Sequence, residues 1–228
     1  MQIQPSNLEF LKNLSENNDR DWFNAHKDQY LHAHENLIFF ADAVLAEMQQ
    51  IDNIETPTGK KSLHRIYRDV RFSKNKAPYK NNWSGSFKRA TDLLRGGYYF
   101  HIDADSAFIG GGFWGPSPAD LKRIRQEIAA NPEELRAILA DKTFKDTFGV
   151  LQGEQVKTAP KGYKKDHPAI DLLRFKRLYV AKKFTKKEVL SPDFYLNVAD
   201  TFKKMRPFFD YMSEVLTTDE NGVPLFEK

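Results

Sequence analysis

Apolar residues in the first quarter of the chain recur at helical spacing. Leu8, Phe10, Leu11 and Leu14 form one stripe, and Ser6-Asn7-Leu8-Glu9 ahead of it reads as a capping box. After Asn17-Asn18, Asp19 is placed to cap a second helix that turns Trp22, Phe23, Tyr30 and Leu31 towards the core. Leu37, Ala41, Val44, Leu45, Met48 and Ile51 continue the period in a third segment. At Thr56-Pro57-Thr58-Gly59 the pattern breaks, and the period that follows is that of strands. In Tyr98 to Asp103, alternation sends Tyr98, Phe100 and Ile102 to one face and Tyr99, His101 and Asp103 to the other. A turn at Ala104 to Ser106 and a strand over Ala107 to Trp114 complete an antiparallel hairpin. Trp83 to Lys88 and Arg65 to Phe72 are its expected neighbours.

Helical signals return downstream. Ser117-Pro118-Ala119-Asp120 supplies a cap, a first-turn proline and an acid ahead of Leu121, Ile124, Arg125 and Ile128. Asn131-Pro132 and His167-Pro168 start two more helices, and Arg177 to Phe184 reads as a strand. Ser191-Pro192-Asp193 opens a long terminal helix carrying Phe194, Val198, Phe202, Met205, Phe209 and Met212, kinked by Pro207. Helices, then strands, then helices predict an α+β fold. Its N-terminal helical layer packs on a central, mostly antiparallel sheet, and a long C-terminal helix follows. With no repeat or Gly/Ser-rich linker, residues 1–228 are expected to form a single domain.

Composition removes several kinds of chemistry. The chain has no cysteine, so disulfides, thiolate metal sites and cysteine nucleophiles are excluded, and 18 Phe predict a ring-filled core. No window reaches the length of a membrane span and no signal peptide opens the sequence, so a cytoplasmic location is expected. No Gly-x-Ser-x-Gly elbow occurs, and Ser84-Gly85-Ser86 has no recognisable base. No cofactor or metal is implied, and the oligomeric state is left open.

Charge is distributed unevenly. Residues 1–59 hold 3 Lys/Arg against 10 Asp/Glu, whereas residues 60–95 hold 11 against 2 and residues 156–190 hold 11 against 3. The first basic block, His64 to Lys80, mixes arginines with aromatics. Guanidinium forks can hold a phosphate or carboxylate, and rings can stack on a base or sugar. Were the segment extended, Arg65, Asp69 and Arg71 would share a side with Tyr67, the acid orienting its neighbours. Two alternatives stand beside this reading. The block can be an internal ion-pair cluster, or its arginines can dock on the acidic helices through Asp19, Asp21 and Glu35. The second block is richer in lysine, which more often marks a solvated surface than shaped recognition.

These motifs also carry a family likeness. Asn18-Asp19-Arg20-Asp21-Trp22-Phe23 with Lys27 and Tyr30, Arg68-Asp69-Val70-Arg71-Phe72-Ser73, and Lys76-Ala77-Pro78-Tyr79-Lys80 resemble the bacterial domain of unknown function 2461. Gly110-Gly111-Gly112-Phe113-Trp114, Pro116, Leu121 with Arg125, Pro160-Lys161-Gly162-Tyr163 and Asp166-His167-Pro168 extend the likeness over most of the chain. The resemblance implies a coherent unit and brings no activity, substrate or cofactor with it.

Two weaker signals remain. Gly110 to Gly112 lies ahead of a helix N-terminus, where an anion can bind, yet glycines in a strand more often mark close backbone approach. His101, Asp103 and His167 imitate a two-histidine, one-carboxylate iron site. The reading that joins most of these features is a groove for an anionic ligand. It would be built from Arg65, Arg68, Asp69, Arg71, Lys76, Tyr79 and Lys80, with Trp114, Tyr163 and His167 from further along. The partner would be an anionic small molecule or a nucleic acid. The remaining alternative is a structural or protein-interaction domain with no small-molecule site.

Overall fold

A computed structural model describes residues 1–219 and 223–225. Among these, eleven helices accompany a four-stranded antiparallel sheet of order β1-β2-β3-β4, an α+β fold. The strands are β1 Trp83–Lys88, β2 Gly97–Ile102, β3 Ser106–Phe113 and β4 Leu178–Thr185. The chain divides into two compact units. The first comprises Met1–Phe87, Tyr99–Ile109 and Lys183–Asp200, and the second comprises Lys88–Tyr98, Gly110–Lys182 and Thr201–Lys228.

The first unit contains the acidic helical layer. Helix α1, Pro5–Glu16, starts one residue before the expected capping box and has no side-chain cap, because Pro5, pre-set for helical φ, takes the first helical turn. Asp19 does cap α2, Arg20–Ala25, its carboxylate accepting from the Trp22 N–H at 2.9 Å. The chain breaks at His26 before α3, Lys27–Met48. That break resets the helical register and leaves Leu31 exposed, contrary to expectation, while Leu37, Ala41, Val44, Leu45 and Met48 are buried. Phe40 of α3 stacks on Phe194 at 5.5 Å and meets Phe100 of β2 edge-on at 5.9 Å, which fastens the layer to the sheet. Tyr98, Phe100 and Ile102 are all fully buried, as the alternation predicts.

The expected strand over Arg65 to Phe72 does not form. A four-residue helix, α4 Gly59–Ser62, capped by Thr58, precedes an irregular loop that touches extended chain only at two isolated bridges, Leu63 with Gly85 and Tyr67 with Tyr79. Turn chemistry outweighs β-propensity there: Asp69 accepts from the Arg71 N–H, Asn75 from the Ala77 N–H, and Pro78 offers no N–H to a ladder.

In the second unit, α5 Pro118–Ala130 is capped by Ser117 as the sequence requires, and α6 Pro132–Ala140, α7 Lys142–Phe148 and the short α8 Ile170–Leu173 follow; α9 Lys186–Val189 belongs to the first unit. The long terminal helix is two helices, α10 Phe194–Lys204 and α11 Arg206–Thr217, separated at Met205. Pro207 in the first turn of α11 cannot donate the bond that would continue α10, so the expected kink is a break. Tyr98, Phe202 and Phe209 form a ring cluster with centroids 5.0 Å apart. Gly111 lies directly beneath Phe209, where a Cβ would approach the ring to 2.7 Å. At Gly112, with φ +144°, a Cβ would stand 2.4 Å from the Leu178 carbonyl. The glycine run therefore serves close packing. Arg89, 1% exposed, lies in this core with its guanidinium bonded to Asp210 (2.6 Å), the Arg95 carbonyl (3.0 Å) and the Ser213 hydroxyl (3.2 Å).

Candidate functional site

The loop between α4 and β1 is irregular but firmly held. The His64 N–H donates to the Ser84 carbonyl (2.8 Å), the Arg68 N–H to Pro78 (2.9 Å) and the Lys80 N–H to Ile66 (2.7 Å). Asn18 grips Tyr79 from outside, its amide donating to the Tyr79 carbonyl and accepting the Tyr79 N–H, both at 3.1 Å. The Tyr79 ring is buried and stacked on Phe23 at 4.0 Å. These contacts fix a hollow of about 450 Å³ in the first unit, lined by Arg65, Tyr67, Arg68, Asp69, Lys80 and Asn82, with His64, Ser84, Tyr99 and His101.

The expected ligand-binding residues divide by what their side chains already hold. Arg68 spends its guanidinium on the Ala77 carbonyl at 2.9 Å, bracing the loop. Asp69 and Arg71 form a two-pronged pair at 3.0 and 2.7 Å, which holds the Asp69 carboxyl below the usual carboxylate range. Lys76 donates to the Val70 carbonyl at 3.0 Å. Arg71, Lys76 and Tyr79 are not lining residues of the hollow. Arg65 and Lys80 are different: among the described residues neither side chain has a carboxylate partner. Desolvation and the Arg65 charge pull the Lys80 ammonium below its ordinary value. Docking on the acidic helices does not occur, since none of Asp19, Asp21 and Glu35 pairs with these arginines among the described residues.

Trp114, Tyr163 and His167 lie in the second unit. Trp114 stacks on Tyr179 at 3.9 Å, Tyr163 meets the His167 ring edge-on, and His167 Nδ1 accepts from the Ala169 N–H at 3.1 Å. In the second basic block, Lys176 pairs with Glu154, and Arg174 donates to the Thr158 carbonyl at 2.9 Å. The iron-site imitation is not realised: among the described residues no group of three or more His, Asp or Glu is arranged to hold a metal ion.

The sequence places Tyr99, His101 and Asp103 on one strand face, and the structure bonds them in a row whose link to His64, Ser84 and Ser86 the sequence does not show. His101 Nε2 lies 2.9 Å from Asp103 Oδ1, and His101 Nδ1 lies 3.1 Å from the Tyr99 hydroxyl. An ionised carboxylate can only accept, so His101 donates to Asp103 through Nε2 while its Nδ1 meets the Tyr99 hydroxyl. Ser84 bonds the Tyr99 phenol in turn. His64 Nδ1 stands 3.5 Å from the Ser84 hydroxyl, the weakest link, and its Nε2 stands 3.1 Å from Ser86. A neutral His64 that carries its proton on Nδ1 donates to Ser84 at the head of this row. Burial, and then the Lys80 charge, lower the His64 pKa, which favours that neutral form. Burial, opposed by the Ser84 bond, raises the Tyr99 pKa, so Tyr99 holds its proton. The alternation of Tyr99, His101 and Asp103 was the available signal for half of this row. Pairing of His64 with Ser84 and Ser86 depends on a bridge between residues 20 and 22 positions apart.

The family model described as conserved hypothetical protein (DUF2461) matches residues 6–211. The chain belongs to that family. No curated protein and no solved structure matches it. Membership of DUF2461 accounts for the likeness seen in the motifs from Asn18 to Pro168. Among the described residues no helix is long and apolar enough to cross a membrane.

Proposed function

We propose that this DUF2461 chain binds a small anionic ligand, bearing phosphate or carboxylate, in the hollow between the Arg65 loop and β2. One observation carries the reading: among the described residues Arg65 and Lys80 line a common concavity without an ion pair, and its lining carboxylate, Asp69, feels the Arg65 charge but is bonded to Arg71. Two like charges brought together this way repel, and an anion between them relieves the cost. Arg68 and Asn82 also line the hollow, and the Tyr99 and Ser84 hydroxyls, bonded to one another, complete its lining. The bonded row ending on Asp103 can accept a proton from a group seated at its His64 end. The binding role of Arg71, Lys76 and Tyr79 is thereby reduced to support of the loop.

Calorimetric titration of the full chain with inorganic phosphate, acetate and a single-stranded oligonucleotide at two salt concentrations tests the proposal. Saturable phosphate binding is expected, weakened about tenfold or more in an Arg65→Gln, Lys80→Gln double variant whose melting is unchanged. Equal binding by the double variant would remove the site. An oligonucleotide that binds more tightly than phosphate, with a steep loss in salt, would move the reading to nucleic acid.

A further inference from the structure

The second unit contains a hollow of opposite sign, independent of the anion site. It encloses about 650 Å³ among α5, α6 and α11, lined by Glu127, Glu134, Tyr211, Glu214, Arg123 and Asn131, with Asp219 at its edge. The one lining cation, Arg123, is already committed: its guanidinium donates to the carbonyls of Val215 and Thr218 at the end of α11. Among the described residues, Glu127, Glu134 and Glu214 have no basic partner. Glu127 lies in the last turn of α5 and Glu214 in the last turn of α11, the ends where a helix carries partial negative charge and disfavours a carboxylate. Arg123, bonded to the carbonyls at the end of α11, offsets part of that cost, but its single charge stands against three carboxylates.

An acidic cluster alone can be a solvated surface, but this one surrounds a buried group that lacks a partner. Tyr211 is only 5% exposed and borders the hollow, and among the described residues its hydroxyl makes no hydrogen bond. A buried polar atom left unsatisfied costs about 1–3 kcal/mol, so such atoms are rare in folded chains. Burial and the three glutamates raise the Tyr211 pKa, so the phenol stays neutral and its oxygen lone pairs are open to a donor. The guest that satisfies all four groups carries several N–H donors, positive charge and no acceptor. A bare metal ion fits less well, because the described residues offer no set of three or more ligands placed around one point.

We propose that this hollow is a binding site for an organic cation of the alkylguanidinium or alkylammonium class, with Tyr211 accepting an N–H and Glu127, Glu134 and Glu214 supplying the countercharge. The same chemistry is carried by a free polyamine and by an arginine or lysine side chain of a peptide. A guanidinium suits it, since its five N–H donors can serve the Tyr211 oxygen and a carboxylate together.

Titration of the full chain with agmatine, spermidine, acetyl-arginine amide and magnesium, followed by amide and aromatic NMR shifts, tests this. The expected result is saturable binding of at least one organic cation, with shifts on α5 and α11 and none from magnesium. Tyr211→Phe, which keeps the packing, should weaken binding about tenfold, the worth of a hydrogen bond to a charged donor. A Glu127→Gln, Glu214→Gln double variant should abolish it. Preference for agmatine or spermidine over acetyl-arginine amide identifies a free metabolite, and the reverse identifies a peptide side chain. The proposal is overturned if no organic cation binds at millimolar concentration, if magnesium binds instead, or if Tyr211→Phe and the double variant both bind as the parent does. Should the double variant unfold, Tyr211→Phe and the single Glu127→Gln change decide alone. Phosphate titrations are indifferent to all of these substitutions, so the two sites fail or stand separately.

Discussion

The two hollows contrast in how their polar groups are prepared. In the first unit, Tyr99, His101 and Asp103 are bonded in a row, and the unneutralised groups, Arg65 and Lys80, stand at the open side. In the second, the unpaired carboxylates share a hollow with a phenol that no described residue satisfies. A floor already saturated with its own hydrogen bonds leaves recognition to the charges above it. An unsaturated floor assigns part of recognition to the buried atom itself. The first arrangement predicts binding that salt weakens readily, and the second predicts binding that depends on one neutral hydroxyl.

The largest effect expected from breaking this contrast comes from Arg89, a cation that the fold has fully used. Arg89→Ala should cost about 3 kcal/mol in urea unfolding, the lower end for breaking a buried pair, because Asp210 remains half exposed and keeps Arg206 as a partner. Arg65→Ala should leave the unfolding midpoint nearly unchanged. A comparable loss at Arg65 would mean that its charge is structural and that the anion hollow is misread.

A smaller effect sharpens the role of His64. Its pKa in the folded chain lies below the ordinary value of 6.5, so the unfolded chain takes up the proton first as the solution is acidified. Stability from this group is complete above the unfolded pKa and is lost as pH falls through the folded value. Melting temperature should therefore drop between about pH 8 and pH 5, and His64→Gln should shallow that drop. His34, lowered by burial and by Lys60, supplies the slope that remains. Superimposable profiles for parent and variant would show that His64 titrates as if in water.

Much of the fold could be read from local chemistry. Asp19 and Ser117 are caps whose partners lie within three residues, Pro132 starts α6 without a side-chain cap by its own preset φ, and the β2 alternation needs only its own period. The failures share a cause as well. Leu31 is exposed because a break at His26 shifts the phase of everything after it, and Pro5 displaced the Ser6 cap by a single position. Arg65 to Phe72 reads as a strand by composition, but turn residues further along decide its path. Of the anion hollow, Arg65, Arg68, Asp69 and Lys80 were visible because one continuous stretch supplies them. The link from His64 to the β2 row was not, because His64 meets Ser84 and Ser86 only through strand pairing. The acidic hollow was hidden altogether: Glu127, Glu134 and Glu214 come from three helices, and each alone looks like an ordinary solvent-facing residue.

The grip of Asn18 on Tyr79 also occupies backbone groups that would otherwise be open to a second extended chain. Where Tyr67 faces Tyr79, the flanking Arg68 and Lys80 N–H groups make the ladder bonds, so the Tyr79 N–H and carbonyl point outward, as at the rim of any antiparallel pair. An open rim of that kind is a template on which a foreign extended chain can add. The asparagine amide, 61 positions away, fills both valences and closes the template. Asn18→Ala should therefore appear first as concentration-dependent self-association in sedimentation, ahead of any detectable loss of folding, and a variant that stays monodisperse would show that the rim is shielded by something else.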